Sequence, residues 1–268
     1  MRRISLVEIK KIELDILLHF SNFCKKHDLR YYLAGGTLLG AVRHKGYIPW
    51  DDDIDVCMPR KDYEEFKKIY KDNKFYVVKS QNVSNRPYMN LFDARTVIES
   101  KYINYEGIDH IWIDILPVDG LPSDLNKVKE IYSICDFYRK LLVLADARLG
   151  EGKSFFKKYS KYLLKPLANL YGKQRCINKI EKIAAKYPYE ESEYVGIVTW
   201  GLYGAGERML KSEFEKSIEV EFEGHKFPAF SCWDSYLRGL YGDYMQLPPI
   251  EKRKSHDMVA YLIEEEEL

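Results

Sequence analysis

The sequence predicts a mixed α/β protein of the α+β kind, and three observations carry that reading. A capped amphipathic helix opens the chain, short β-type segments alternate with helices as far as residue 122, and from residue 123 the pattern turns mainly helical until a closing hairpin and helix. A chain of 268 residues that is 46% hydrophobic can bury a large core. Two lobes are expected, a sheet-bearing one over 1–122 and a mainly helical one over 123–268 whose hairpin and last helix return to complete the site.

Taken in order, Ser5-Leu6-Val7-Glu8 has the form of a capping box, and Ile9, Ile12, Ile16, Phe20 and Phe23 then recur at helical spacing to about Asp28. "RYYLA" reads as a short strand, Gly35-Gly36 as a turn, and "TLLGAVRHK" as a short helix from Thr37 that Gly46 and Pro49 end. "DDDIDVCMP" follows as a strand, "KDYEEFKKIYKD" as a helix, and "FYVVKS", "YMNLFDART" and "VIESKYI" as strands. "HIWIDILPV" alternates with period two and is rich in β-branched residues. Ser123 is read as the N-cap of a helical stretch that runs to about Tyr187. "IEVEFEGHKFPA" reads as a hairpin turning at Glu223-Gly224, and "CWDSYLRGLYG" as the closing helix.

The net charge of +1 gives no global attraction to nucleic acid. The N-terminal residues lack the apolar run of a secretory signal, and no stretch reaches the roughly 18 apolar residues of a membrane span. Cys24, Cys57, Cys135, Cys176 and Cys232 show neither CxxC nor zinc spacing, so they read as core thiols in a reducing, cytoplasmic setting.

The chemistry gathers at "GYIPWDDDIDVCMP", where four aspartates precede apolar residues. In a strand, Asp51, Asp53 and Asp55 share one face, while Ile54, Val56 and Met58 anchor the strand in the core. Such a DxD pair can clamp Mg²⁺ or Mn²⁺, because hard cations prefer oxygen ligands. An EF-hand loop counted from Asp51 fails, since Val56 stands where a glycine and Asp62 where a glutamate belong. A solvated acidic turn would not lead straight into "IDVCM".

Gly35-Gly36, between a strand and a helix, lets backbone approach a phosphate closely, although an ordinary tight turn has the same composition. A third acid is needed to complete a metal site or serve as base, and Asp114 is the candidate, set opposite the buried Ile111, Ile113 and Ile115. Asp93 is its rival, and Asp119 reads more simply as a turn residue.

The stretch "YYLAGGTLLGAVRHKGYIPWDDDIDVCMPRKDYEEF" resembles the signature of the LicD family, which includes the fukutin-related enzymes and has the nucleotidyltransferase fold. The resemblance continues through "WIDILPVDGLP" and resumes at "VEFEGHKFPAF" and "YLRGLYGDYMQLPP", leaving the helical middle poorly covered. It implies that residues 1–122 form a catalytic lobe and that phosphocholine passes from CDP-choline to a sugar hydroxyl of a teichoic-acid or lipopolysaccharide glycan, releasing CMP. By position, Asp53 and Asp55 would hold Mg²⁺ and Asp114 would share a metal or deprotonate the acceptor; Gly35, Gly36 and Thr37 would cradle phosphate, and Arg43 would neutralise developing charge. Transfer of ribitol or glycerol phosphate, a DxD glycosyltransferase and a binding-only pseudoenzyme are the competing readings.

Choline is a quaternary ammonium that proteins hold over aromatic faces, and Trp200, Tyr241 and Tyr244 are the candidates, although most aromatics in such a chain are core. Arg253 and His256 are placed to reach a pyrophosphate, or belong to a solvated basic helix. Finally, residues 153–175 carry six lysines and one arginine with no acid, while Phe156, Tyr159, Leu163, Leu167 and Leu170 recur at helical spacing. Peripheral contact with the inner face of the cell membrane, where a lipid-linked glycan acceptor would be held, is one expectation. An internal helix whose stripe packs on its neighbours is the other, and Pro166 argues against one straight helix in either case.

Overall fold

The computed structural model describes residues 1–79, 86–100, 110–150, 155–253 and 258–263. Residues 101–103, 153–154 and His256, on which sequence expectations fell, lie outside them. The chain opens with β1 (Arg2–Ile4), which the sequence did not reveal, and α1 (Leu6–Lys26), whose Ser5–Glu8 capping box is present in both directions. Then come β2 (Tyr32–Leu33), α2 (Gly35–His44), β3 (Asp55–Pro59), α3 (Arg60–Ile69), β4 (Tyr76–Lys79), β5 (Met89–Asp93), β6 (Thr96–Ser100) and the long β7 (Ile111–Leu121).

The central sheet runs β2-β3-β7-β5-β4. Only β3 and β7 pair in parallel; their register sets Asp55 beside Asp114, and the antiparallel β5 sets Asn90 on the other side of Asp114. Ile54, Val56 and Met58 are fully buried, as expected of the anchoring face. The aspartate strand is shorter than expected, however: residues 51–54 are irregular and β3 begins at Asp55. Its alternation survives, since Asp52 and Ile54 are buried while Asp51, Asp53 and Asp55 are partly exposed.

The helices α4 (Leu125–Asp146), α5 (Phe155–Tyr171) and α6 (Lys173–Ala184) form the middle of the chain. Asp124, not Ser123, caps α4, its carboxylate accepting from the Asn126 N–H at 2.8 Å. Then follow β8 (Tyr194–Gly196), a 3₁₀ turn at Gly204–Glu207, β9 (Met209–Leu210), α7 (Lys211–Phe214), the hairpin of β10 (Ser217–Phe222) and β11 (His225–Phe230), α8 (Trp233–Tyr241), and β12 (Met258–Leu262). The hairpin turns at Glu223-Gly224, both with positive φ, as a two-residue primed turn requires. A short sheet β1-β12-β6 ties the end of the described chain to its beginning, and β8 pairs with the far end of β7.

Two apolar cores result. The larger draws on residues 4–118 and again on 189–260, and the smaller packs α4 and α6 around Leu121, Val128, Tyr132 and Ile177. The C-terminal segments therefore share the core of the sheet-bearing lobe. Asp119, read as a turn residue, lies within β7 and takes both Arg60 Nε and Nη2 at 2.7 Å, a bidentate pair at the lobe junction.

Where α8 meets the 3₁₀ turn, backbone touches backbone. A Cβ on Gly239 would lie 2.5 Å from the Gly206 carbonyl oxygen, and one on Gly206 would lie 2.2 Å from that of Gly239. Gly239→Ala should therefore destabilise the protein by at least about 1–3 kcal/mol, read as a lower urea midpoint. Because Tyr236 and Tyr241 ride on α8, activity should fall with it; an unchanged midpoint would show that the contact is not tight.

Candidate active site

The open end of β3 faces a cavity of about 200 Å³. Asp51, Asp53 and Asp55 line it together with Gly35 and Gly36, and Trp200, Tyr203, Glu207, Tyr236 and Tyr241 complete the wall. Helix α2 begins at Gly35, two residues earlier than the sequence suggests, so the double glycine is its first turn rather than a turn before it. Ala34 supplies no side-chain cap, and the Gly35 N–H reaches only Tyr236 Oη at 3.4 Å. An open helix N-terminus of this kind favours an anion.

The glycines are required by proximity. A Cβ on Gly35 would lie 2.8 Å from Asp55 Oδ2, and one on Gly36 would lie 2.8 Å from Asp51 Oδ2. Gly35 also has φ +50°, which other residues rarely adopt. Thr37 does not line the cavity; its hydroxyl accepts the Asp55 N–H at 2.8 Å and so fixes the start of β3. With Ala34 N–H on the Asp55 carbonyl at 3.0 Å and Asp114 N–H on that of Ile54 at 2.9 Å, the backbone around Asp55 is held from both sides.

Asp114 is held by Tyr88, whose hydroxyl donates to Oδ2 at 3.2 Å, and by the Asn90 amide on Oδ1. Asp93, its rival, is buried and bound to its own neighbour, Arg95 Nη2 reaching Oδ2 at 2.5 Å. Its charge is spent within the fold. Arg43 borders an adjoining cavity of about 380 Å³ with Asp51, Tyr203, Tyr241 and Tyr244, and its Nη1 donates to the Tyr244 carbonyl at 2.5 Å. Of the proposed aromatic cage, Trp200 and Tyr241 line the acidic cavity, whereas Tyr244 lines the adjoining one and gives its hydroxyl to Asp234 at 2.5 Å. Arg253 lines neither; it lies over the Trp50 ring at 4.5 Å and bonds the Pro248 carbonyl.

Four residues escaped the sequence reading: Tyr203, Glu207, Tyr236 and, behind Asp114, Asn90. Glu207 is 4% exposed, and burial pushes its carboxyl up to about 8. Asp55 is likewise pushed well above the carboxylate range, first by desolvation and then by the charges of Asp53, Asp114, Asp51 and Glu207. On the α1 side, the buried Glu13 is raised by desolvation and by Asp53, Asp52 and Asp51. Crowded carboxylates of this kind are the donor set that a hard divalent cation suits. Among the described residues no three acidic, His or Cys side chains form a ready-made metal cage. Mg²⁺ needs none, since one or two carboxylates with water and substrate phosphates hold it.

Comparison with known proteins agrees with this geometry. The family description "LicD/FKTN/FKRP, nucleotidyltransferase domain" matches residues 28–139, the span that holds α2, β3 and β7. Over 274 aligned positions the chain is 32% identical to the lipopolysaccharide cholinephosphotransferase LicD of Haemophilus influenzae, covering 98% of this chain and 100% of that one. The chain belongs to the LicD family. A shorter match, 29% identical over 91 residues, links 33% of the chain to 17% of human ribitol 5-phosphate transferase FKRP. The LicD domain match includes Gly35, Gly36, Asp51, Asp53, Asp55 and Asp114 but ends before Glu207 and the tyrosines of α8. The aromatic lining thus comes from outside the domain that LicD and FKRP share.

These environments predict a division of labour. Asp55→Asn should remove repulsion, raise the melting temperature of the metal-free protein by a few degrees (about 1 kcal/mol), and lower turnover at least ~10²-fold. Asp114→Asn should be comparably damaging to turnover. Asp93→Asn should instead cost about 3 kcal/mol of stability through the stranded Arg95, with turnover of the folded fraction nearly unchanged. Steady-state kinetics beside thermal melts separate these outcomes, and a reversed ranking of Asp114 and Asp93 would move the third acid to β5.

Proposed function

We propose that this enzyme transfers phosphocholine from CDP-choline to a hydroxyl of a cell-surface glycan of the lipopolysaccharide or teichoic-acid type, with Mg²⁺ or Mn²⁺, releasing CMP. The observation that carries the reading is one cavity walled by three aspartates, four aromatic rings and a buried glutamate. The kinship with the Haemophilus cholinephosphotransferase supports the reaction class. The aromatic rings favour choline over the ribitol named for FKRP, because a quaternary ammonium gains from ring faces and a polyol does not.

Asp53 and Asp55 would hold the metal, with Asp51 beside them. A divalent cation there would neutralise the donor's diphosphate and stabilise the charge that develops on it. Gly35 and Gly36 bring the N-terminus of α2 against the Asp55 and Asp51 carboxylates, where a cation-bound phosphate would also meet its N–H groups. Asp114, oriented by Tyr88 and Asn90 and set beside Asp55 by the strand register, would take the proton of the attacking hydroxyl. In-line attack at the phosphorus bearing choline breaks its bond to the bridging oxygen, so that CMP leaves. The trimethylammonium lies among Trp200, Tyr203, Tyr236 and Tyr241, and Glu207 supplies the opposite charge.

Product analysis tests the chemistry. With CDP-choline, Mg²⁺ and a glycan acceptor, chromatography should show CMP; CDP as the sole nucleotide product would overturn the assignment, and faster turnover of CDP-ribitol would replace the donor.

The pH dependence tests Glu207. Its raised value means that the stability it contributes is present below the ordinary carboxylate range and is lost as pH rises towards about 8. A bound cation reverses this by favouring the ionised form. Affinity for CDP-choline should therefore rise with pH up to about 8, and calorimetry should show proton release on binding below that value. Glu207→Gln should flatten both dependences and weaken CDP-choline at least ~10-fold while leaving CDP-ribitol nearly unaffected; equal weakening of both donors would remove Glu207 from choline recognition.

A further inference from the structure

Helix α5 is packed inside out. Its inward-facing positions are Lys161, Lys165 and Ala168: Lys165 Nζ donates to the Ala147 carbonyl at 2.7 Å, Lys161 Nζ to that of Arg148 at 3.4 Å, and Ala168 is 2% exposed. The two ammonium groups thus satisfy carbonyls just beyond the C-terminus of α4, where a cation is favoured. The outward face carries the leucines. Leu163 is 74%, Leu167 60% and Leu170 81% exposed, with Tyr159 and Tyr162 half exposed on the preceding turn. An ordinary surface helix buries its apolar stripe and solvates its lysines. Here the stripe at i, i+4 and i+7 is the exposed face, and α5 runs unbroken through Pro166, which is itself exposed.

We propose that the outer face of α5 is a docking surface for an anionic lipid bilayer. Charge selects this occupant. From 153 to 175 the sequence has seven cationic residues and no acid; Lys161 and Lys165 serve the carbonyls after α4 and Lys173 pairs with Asp146, so the remaining cations of this acid-free stretch are what a phospholipid surface would meet. A second copy of this chain would instead set cations against cations across a two-fold axis. Position agrees with charge. A largely apolar cavity of about 370 Å³ lies between α4 and α5, lined by Val143, Leu144, Lys161, Trp200 and Leu202, and the last two also line the acidic cavity. A bilayer held at α5 therefore lies beside this cavity, which Asp136, Arg139 and Lys140 also line and whose Trp200 and Leu202 lead to the site. Among the described residues no helix is long and apolar enough to cross a membrane, so contact through these helices is peripheral. This proposal stands on the packing of α5 and does not depend on which donor the site takes.

The test is flotation of the full-length protein with vesicles of phosphatidylcholine, with and without about one-third phosphatidylglycerol, at low and high salt. The wild type should float with anionic vesicles at low salt, and the bound fraction should fall at least ~10-fold at high salt or without phosphatidylglycerol. The variant L163S/L167S/L170S should lose binding by a similar factor. Its melting temperature and its turnover of CDP-choline with a soluble acceptor should match the wild type, because these leucines are exposed and line neither cavity. If the wild type stays unbound at low salt, or if the variant floats equally well, the proposal fails. A dimer that the leucine variant dissociates, with no flotation of the wild type, would assign the face to a second copy and overturn it as well.

Discussion

Asp51, Asp53, Asp55 and Glu207 line one cavity, with Asp114 beside Asp55 on the next strand and Asp52 and Glu13 behind them, and a protein interior cannot hold that much charge unless something neutralises it. Much of the surrounding structure follows from this constraint. The parallel pairing of β3 with β7 is what brings Asp55 and Asp114 side by side, and the Thr37 hydroxyl pins the first residue of β3. The open N-terminus of α2 lies against Asp55 and Asp51, close enough to forbid a Cβ at either glycine, so its partial positive charge offsets part of theirs. Burial raises the proton affinity of Asp55 and Glu207, and the neighbouring carboxylates raise that of Asp55 further. A group raised in this way weakens the unliganded fold as pH rises, which couples stability to site occupancy.

The elements built from local rules were legible. The capping box of α1, the buried face of β3, the alternation in β7 and the primed turn of the hairpin each depend on a few adjacent residues, and each stands where the sequence placed it. The position of Asp114 was legible for the same reason: a lone carboxylate amid isoleucines on a two-residue period needs partners, and Tyr88 and Asn90 supply hydrogen bonds to it while β3 sets Asp55 beside it. Where an element depends on distant chain, the reading failed. β1 and β12 are short strands that exist because each pairs with a segment far away in sequence. The start of α2 was misplaced because glycines that read as a turn are tolerated in a first helical turn when a ligand site needs the space.

The aromatic lining shows the same limit. Glu207 ends a 3₁₀ turn spelled "GAGE", a string with no apolar period and no motif, and long-range contacts such as the Gly206–Gly239 backbone approach and the Tyr203–Tyr241 ring pair bring that turn and α8 together. Tyr236 is invisible as a site residue because it satisfies the helical core pattern of α8 at the same time. Tyr244 illustrates the converse. Its place after α8 suggested a role beside Tyr241 in one cage; the chain turns at Gly242, so the two share the adjoining cavity and not the acidic one, and the Tyr244 hydroxyl is taken by Asp234. Spacing gives the face on which a side chain lies within an element, and it cannot give the face once the chain has turned.

Local rules are broken in two places, and the direction of each departure is informative. A sequence that specifies a free-standing fold would neutralise buried acids and bury exposed leucines, since either change stabilises at little structural expense. Around β3 the departure is an excess of negative charge in a cavity; on α5 it is an excess of exposed apolar surface in an acid-free, lysine-rich stretch. Each has a complement in the readings proposed above: a small hard cation with a phosphate in the first case, and an extended apolar phase with an anionic skin in the second. Trp200 and Leu202 border both the acidic cavity and the apolar one beside α5, so the two departures meet at one pair of side chains. That meeting is the physical reason to treat the two proposals together, since a donor reaching the acidic cavity and an acceptor presented beside α5 would converge on the same pair of side chains.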